Sequence, residues 1–449
     1  MNGPGRDPIG ELRSLAGDCV HCGFCLPACP TYQLWGEEMD SPRGRIHLMT
    51  QVLDGGELSD ATAQHLDRCL GCMACVPACP SGVRYDRLIE AAREWVEDAG
   101  ERPVTGTDGY RRTLRGRAAR AAIFSVFPHP GRLRLLTGPL RAAQRIGLDE
   151  LIRRSSLPGR LSPELAAALR LAPPRPGRVP ALPRRVAARG DRRAVVGMLT
   201  GCVQGVFFPQ VNTATARVLA AEGCDVVIPK GQGCCGALSL HAGRRREALA
   251  LARRTIGTFE QAGVDTIVVN SAGCGSAMKE YGQLLAGDRD WSARAGALAG
   301  KVRDFAEFLA DLTGSGTRAA RHPLPVKAVY HDACHLGHAQ RVKAQPRALL
   351  RGIPELTLAE TGDGGTCCGS AGVYNLLQPE AAHELGERKA ATVRATGAEL
   401  LISANPGCSL QIASALAAQG VPMPVAHTAQ VLDASIRGLP VSSLTRMTV

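Results

Sequence analysis

Sixteen of the seventeen cysteines in this 449-residue chain fall into two spaced repeats. Spaced thiolates are soft ligands, suited to iron–sulfur clusters or zinc. The first repeat is Cys19-Val-His-Cys22-Gly-Phe-Cys25-Leu-Pro-Ala-Cys29-Pro30, echoed by Cys69-Leu-Gly-Cys72-Met-Ala-Cys75-Val-Pro-Ala-Cys79-Pro80, each cysteine recurring 50 residues on. A C-x2-C-x2-C-x3-C-P run wraps three thiolates and their backbone N–H groups around one cluster. Its fourth thiolate, carried past a Pro-stiffened turn, reaches a second cluster. On that rule Cys19, Cys22, Cys25 and Cys79 hold one [4Fe–4S] cluster, and Cys69, Cys72, Cys75 and Cys29 hold the other. Paired Cys-x-x-Cys units also bind zinc, but a zinc ribbon needs no four-step run ending in Pro and repeated twice. Between the runs, Leu48–Leu53 and Ala61–Arg68 read as helical. Met39–Ile46 reads as a basic loop whose Arg43 and Arg45 offset cluster charge.

The second repeat is longer. Cys202, Cys234, Cys235 and Cys274 return as Cys334, Cys367, Cys368 and Cys408 at offsets of 132, 133, 133 and 134. A lone cysteine at a strand end is usually a small buried hydrophobe. Cys-Cys-Gly recurring with matched flanking cysteines reads instead as metal ligation, with vicinal-thiol redox chemistry as the rival. Cys224 stands outside both patterns and reads as a packing residue. His331, His335 and His338 flank Cys334, where they could donate to a cluster, ligate it or carry protons; ordinary hydrogen-bonded histidines are the simpler reading.

The elements that must position these thiols alternate. Each long copy opens with an apolar run (194–199; 326–330) that reaches a Cys, followed by a helix-period stretch (206–221; 339–352). A short run to Cys-Cys-Gly comes next, then a helix (244–262; 379–396), a third strand (266–270; 399–403) and the last Cys at a helix start. Such alternation predicts parallel β/α units, with the ligands beyond the carboxyl ends of the strands, where helix N-termini favour thiolates. Gly236 and Gly369 allow the backbone a tight turn after the paired cysteines. The expected fold class is a mixed α+β and α/β multidomain chain. Residues 1–98 form a helical two-cluster domain, 99–193 an Arg-rich helical connector, and 194–315 and 326–449 tandem parallel β/α Cys-Cys-Gly domains.

Length suits about three domains of roughly 150 residues, and 45% hydrophobic residues are enough to build cores. No run approaches the ~18 apolar residues of a membrane span, and the N-terminus lacks an apolar signal region. Seventeen cysteines without an export signal point to a reducing, cytoplasmic setting and to metal or redox sites rather than disulfides. The chain carries +12, but residues 101–193 hold 21 Arg and six acids, a net +15, so the remainder sums to −3. This Pro-broken stretch predicts short helices at 116–126, 133–146 and 163–171. It reads as a solvated linker or as a docking face for an acidic partner or an anionic membrane. With 4% aromatics and no recognition motif, nucleic acid is a poor partner.

Taken together, the motifs resemble the iron–sulfur subunit of bacterial glycolate oxidase over nearly the whole chain. The resemblance rests on Cys22-Gly-Phe-Cys25, Pro42-Arg-Gly-Arg-Ile46, His65-Leu-Asp-Arg-Cys69, Pro80-Ser-Gly-Val-Arg-Tyr85, His331–Arg341, Cys367–Asn375 and Ala404-Asn-Pro-Gly-Cys408. The Cys-Cys-Gly domain is shared more widely, with heterodisulfide reductase subunits, the iron–sulfur subunit of anaerobic glycerol-3-phosphate dehydrogenase and lactate-utilisation proteins. What the resemblance implies is an electron-transfer subunit of an oxidoreductase complex. Partner subunits bearing FAD would oxidise glycolate, or lactate or another 2-hydroxy acid. Electrons would then leave for a membrane quinone or another acceptor, the chain lying in the cytoplasm or at the inner membrane face. In keeping with that, no Gly-x-Gly-x-x-Gly follows a strand, no catalytic constellation stands out, and Gly362-Asp-Gly-Gly365 reads as the turn before Cys367. The other reading is a thiol–disulfide enzyme of the heterodisulfide-reductase kind. Against it, the closing Cys-x-x-Cys is absent: Gly273-Cys274-Gly275 and Gly407-Cys408-Ser409 stand there, one cysteine short.

Overall fold

The computed structural model describes residues 8–101, 110–147, 151–152, 163–173, 179–314 and 316–445. Its N-terminal part is helical. Ser41 accepts from the Gly44 N–H at 3.1 Å, and Pro42 occupies the first turn, so the helix Pro42–Leu53 starts six residues ahead of the expected 48–53. The stretch 39–46 is therefore not a loop. It is a 3-10 turn, Glu38–Asp40, running into that helix. Gly44 permits the junction, because a Cβ there would collide with the Glu38 carbonyl. Helix Tyr85–Glu101 buries Tyr85, Leu88, Ile89, Ala92 and Val96, a helical-period stripe packed over Met49, Ala63 and Leu66.

Two sheets follow. β1 (Arg185–Val186), β2 (Ala194–Met198), β3 (Cys224–Val227), β4 (Thr266–Val269) and β5 (Val302–Asp304) lie in the order β1-β3-β2-β4-β5, all parallel except β1. β6 (Val326–His331), β7 (Leu356–Glu360), β8 (Leu400–Ser403) and β9 (Val425–Ala426) follow β7-β6-β8-β9, all parallel. Without β1, the two topologies are identical, so the cysteine repeat is a repeat of fold. The fourth strands, β5 and β9, are too short to show a period. β1 adds the end of the Arg-rich stretch to the first sheet. The expected helix 206–221 breaks at Phe208, since Pro209 cannot donate backward and opens a new helix, Pro209–Ala221.

The two sheets are not beads on a string. One apolar cluster runs through both, joining Val196, Met198 and Val226 to Ala328, Tyr330 and Leu400. Helix Pro209–Ala221 packs on helix Thr428–Ile436 across the same seam. Cys224 lies fully buried in this cluster, at the start of β3. No helix among the described residues is long and apolar enough to cross a membrane.

Candidate metal centres

All seventeen cysteines are free of disulfides. In the helical part, Cys29 leaves its own run and joins Cys69, Cys72 and Cys75 around a small cavity that Arg45 and Tyr85 also line. Burial alone would push the Cys69 thiol up. Arg45 and Arg93, the Tyr85 hydroxyl at 3.5 Å and the Gly71 N–H at 3.3 Å hold it below the ordinary range instead. Burial drives Cys72 and Cys75 well above it. Cys19, Cys25 and Cys79 are half-buried against one apolar cluster, and Cys22 is exposed, so this set lies near the surface while the other is enclosed. The two arginines divide accordingly. Arg43 donates to the His21 carbonyl at 2.9 Å in the outer loop, and Arg45 is wholly buried in the wall of the inner site.

The Cys-Cys-Gly cysteines sit at strand ends in both copies: Cys202, the Cys234–Cys235 pair and Cys274 follow β2, β3 and β4, while Cys334, Cys367–Cys368 and Cys408 follow β6, β7 and β8. Gly236 and Gly369 have φ of +90° and +85°, and a Cβ on Gly369 would lie 2.6 Å from the Ala382 carbonyl oxygen, so the turn after each pair demands glycine. The thiols are close enough to share protons. Hydrogen bonding from Cys202 holds Cys234 well below the ordinary range, and Cys367 does the same for Cys368; Cys202, Cys235, Cys367 and Cys408 are driven up. Crowded buried thiols of this kind suit a shared metal centre.

The sequence did not show that both copies face the same space. Cys202, Cys234, Cys235 and Cys274 line one cavity of about 360 Å³ together with Cys334, Cys367 and Cys408, and Gly71 and Cys72 of the helical part form part of its wall. The Ala272 N–H donates to the Ala404 carbonyl at 3.2 Å, joining the start of one closing helix to the turn that precedes the other. His335 Nε2 lies 2.8 Å from the Gly71 carbonyl oxygen, and its ring meets His241 edge-on at 4.7 Å. Burial lowers both histidines to about 4, so they are neutral at physiological pH. Two residues of this junction escaped the sequence reading, His241 and Arg93. Arg93 donates to the Cys69 and His241 carbonyls from the buried stripe of the Tyr85–Glu101 helix, and a charge on an apolar stripe was the signal for it.

The described part of the Arg-rich stretch also packs on the rest of the molecule. Helices Pro130–Arg145 and Pro163–Arg170 contribute Leu140, Leu165, Ala168 and Leu169 to the cavity wall. Arg120 pairs with the buried Glu97 at 2.8 Å, where Arg244 of the first copy also pairs at 3.1 Å. Part of the charge is thus spent inside the molecule. The breaks at Pro158, Pro174 and Pro176 lie outside the described residues.

Of the three histidines, His335 and His338 are ordinary hydrogen-bonded residues, His338 Nε2 lying 3.3 Å from the Gly365 carbonyl oxygen. His331 differs: it is fully buried, neither ring nitrogen has an oxygen or nitrogen partner, and its hydrogen-bonding neighbour is the Cys368 thiol.

At the junction between the helical part and the first copy, burial and Asp86 push Glu90 up to about 7, and burial with Glu90 pushes Glu280 up to about 8. The folded chain then holds protons that the unfolded chain releases above the ordinary carboxylate range, so stability falls as pH rises from ~4.5 to 8. The Glu90 side chain keeps 21% exposure, which trims the effect. Glu280→Gln is expected to recover about 1–2 kcal/mol at pH 8 and little at pH 5. Anaerobic thermal unfolding across that range checks it; equal pH slopes for variant and parent would disprove the assignment.

Four stretches of the chain match known families. Residues 16–83 match the 4Fe-4S dicluster domain, residues 115–172 the linker region of the glycolate oxidase iron-sulfur subunit, and residues 196–279 and 328–413 the cysteine-rich domain twice over. The chain is similar to the probable glycolate oxidase iron-sulfur subunit of Bacillus subtilis, with 36% identity over 92% of this chain and 90% of that protein. It is 37% identical to the glycolate oxidase iron-sulfur subunit of Escherichia coli over 90% and 91% of the two chains. Lactate utilization protein A of Exiguobacterium is 32% identical, but over 54% of this chain and 98% of its own length.

Proposed function

The chain belongs to the family of glycolate oxidase iron–sulfur subunits, and from that premise we propose how its residues relay electrons and between which partners. It is an electron-transfer subunit with a 4Fe-4S dicluster domain and two cysteine-rich domains, part of an oxidoreductase complex. Electrons enter from a partner subunit bearing FAD, which oxidises glycolate or a related 2-hydroxy acid to the 2-oxo acid. They leave to a quinone at the cytoplasmic membrane face or to another acceptor. The half-length match to lactate utilization protein A keeps lactate as the alternative substrate.

The observation that carries this reading is the shared wall. Gly71 and Cys72 of the inner four-cysteine set border the same cavity as both Cys-Cys-Gly sets, and Leu70 and Cys72 pack directly beside Cys334 and Cys367. Iron–sulfur centres bound at these thiols supply one-electron carriers. The chain's own residues do the rest. Cys19, Cys22, Cys25 and Cys79 present an outer site to a docking partner, and Cys69, Cys72, Cys75 and Cys29 hold an enclosed one behind it. Arg45 and Arg93 balance thiolate charge there. Helices Pro130–Arg145 and Pro163–Arg170 keep water and stray oxidants from the Cys-Cys-Gly thiols.

The purified chain alone is expected to carry iron and no flavin, and not to oxidise glycolate with an artificial acceptor. Addition of an FAD-bearing partner subunit should let glycolate reduce its EPR-detectable centres. Stoichiometric flavin in the isolated chain, or turnover without a partner, would overturn the division of labour.

A further inference from the structure

The two Cys-Cys-Gly copies match in fold and in cysteine spacing, but not at the residue three before the first cysteine. In the first copy it is Leu199, buried in apolar packing beside Cys235. In the second it is His331, the last residue of β6, also fully buried. A buried imidazole whose ring nitrogens meet no oxygen or nitrogen partner calls for an explanation in a native core. Its neighbours provide one: a ring nitrogen of His331 and the sulfurs of Cys368 and Cys408 all lie within 4.8 Å of one another, and all three residues are buried. The Asn405 amide donates to the Cys408 sulfur at 3.4 Å, as it would to a coordinated thiolate.

We propose that His331 is a nitrogen ligand of the iron–sulfur centre in the second Cys-Cys-Gly copy, which makes the two copies chemically unlike. The inference rests on the reading that the Cys-Cys-Gly cysteines bind iron. Each copy is one cysteine short of the Cys-x-x-Cys ending, and in the second copy an imidazole from a different strand brings the donors to five. A neutral nitrogen ligand adds no negative charge, whereas a thiolate would. Replacing thiolate by imidazole raises the potential of a cluster, as in Rieske centres. Electrons arriving in the cavity would therefore settle in the second copy, and the repeat carries a direction that equal copies would lack.

The experiment uses the full-length chain, prepared anaerobically and labelled with 15N-histidine. Pulsed EPR of the reduced protein is expected to show a strong hyperfine coupling to a directly bound nitrogen. The coupling should belong to a signal lost in Cys408→Ser and kept in Cys274→Ser. His331→Leu, which copies the first repeat, should abolish the coupling. His331→Cys should also abolish it while keeping the iron and lowering the midpoint potential of that one centre. A signal from the second copy with only the weak coupling of a hydrogen-bonded imidazole, or coupling that survives both substitutions, would refute ligation by His331 and leave cysteine ligation standing. Iron unchanged by Cys408→Ser would refute both.

Discussion

Cys367→Ser is expected to stop electrons at the helical part of the molecule. Cys367 is buried and packs beside Cys334, Leu70 and Cys72, at the contact between the inner four-cysteine set and the large cavity. Serine nearly preserves shape but offers a hard, poorly ionised oxygen in place of a soft sulfur, so the site loses a ligand and not its packing. Loss of residues that merely orient ligands costs about 10–100-fold in metal affinity or activity, and loss of a ligand costs at least as much. Iron per chain should fall, the dicluster EPR signals should persist, and glycolate-driven reduction of the final acceptor in the assembled complex should drop by ~100-fold or more. Unchanged iron and unchanged throughput would return the paired cysteines to thiol–disulfide chemistry.

Asp40→Ala should produce the largest loss of stability. Asp40 has no exposed surface and gathers Arg45 at 3.2 Å, His65 at 3.0 Å and Arg68 at 2.9 Å. Arg45 is itself fully buried and donates further to the His65 carbonyl and to Thr31 Oγ1. Removing one member of a buried ion pair strands the other, at about 3–5 kcal/mol. Denaturation followed by loss of the cluster absorbance should show that drop. The double variant Asp40→Ala, Arg45→Met should recover part of it, because the stranded guanidinium is then gone while Arg93 still faces the Cys69 thiol. A double variant no more stable than the single one would show that Arg45 contributes through its other hydrogen bonds.

Ligand types, ligand spacing and strand–helix alternation are local properties, and the sequence carries them without help. Three cysteines at two-residue gaps can only face one loop centre while the fourth, past the Pro-bearing turn, points away, and a strand ending in Cys before a helix can only place it at the strand's carboxyl end. Repetition at near-constant offset then predicts two copies of one fold, down to the turns at Gly236 and Gly369. Tertiary structure alone decided how the copies meet. Val196 and Leu400, or Ser271 and Asn405, are more than 130 residues apart, and nothing in either segment says that the two faces share a core or that two rings of thiols open on one cavity. The Arg-rich stretch shows the same limit: its charge was legible, but Glu97, the buried carboxylate that takes up Arg120, lies on another helix. His331 shows the limit most sharply. Its position beside Cys334 made it a candidate, yet only a packed interior can deny a histidine every oxygen and nitrogen partner and set it against two thiols instead. Burial and the pairing of distant groups are properties of the assembled chain, and the chemistry that depends on them is decided there.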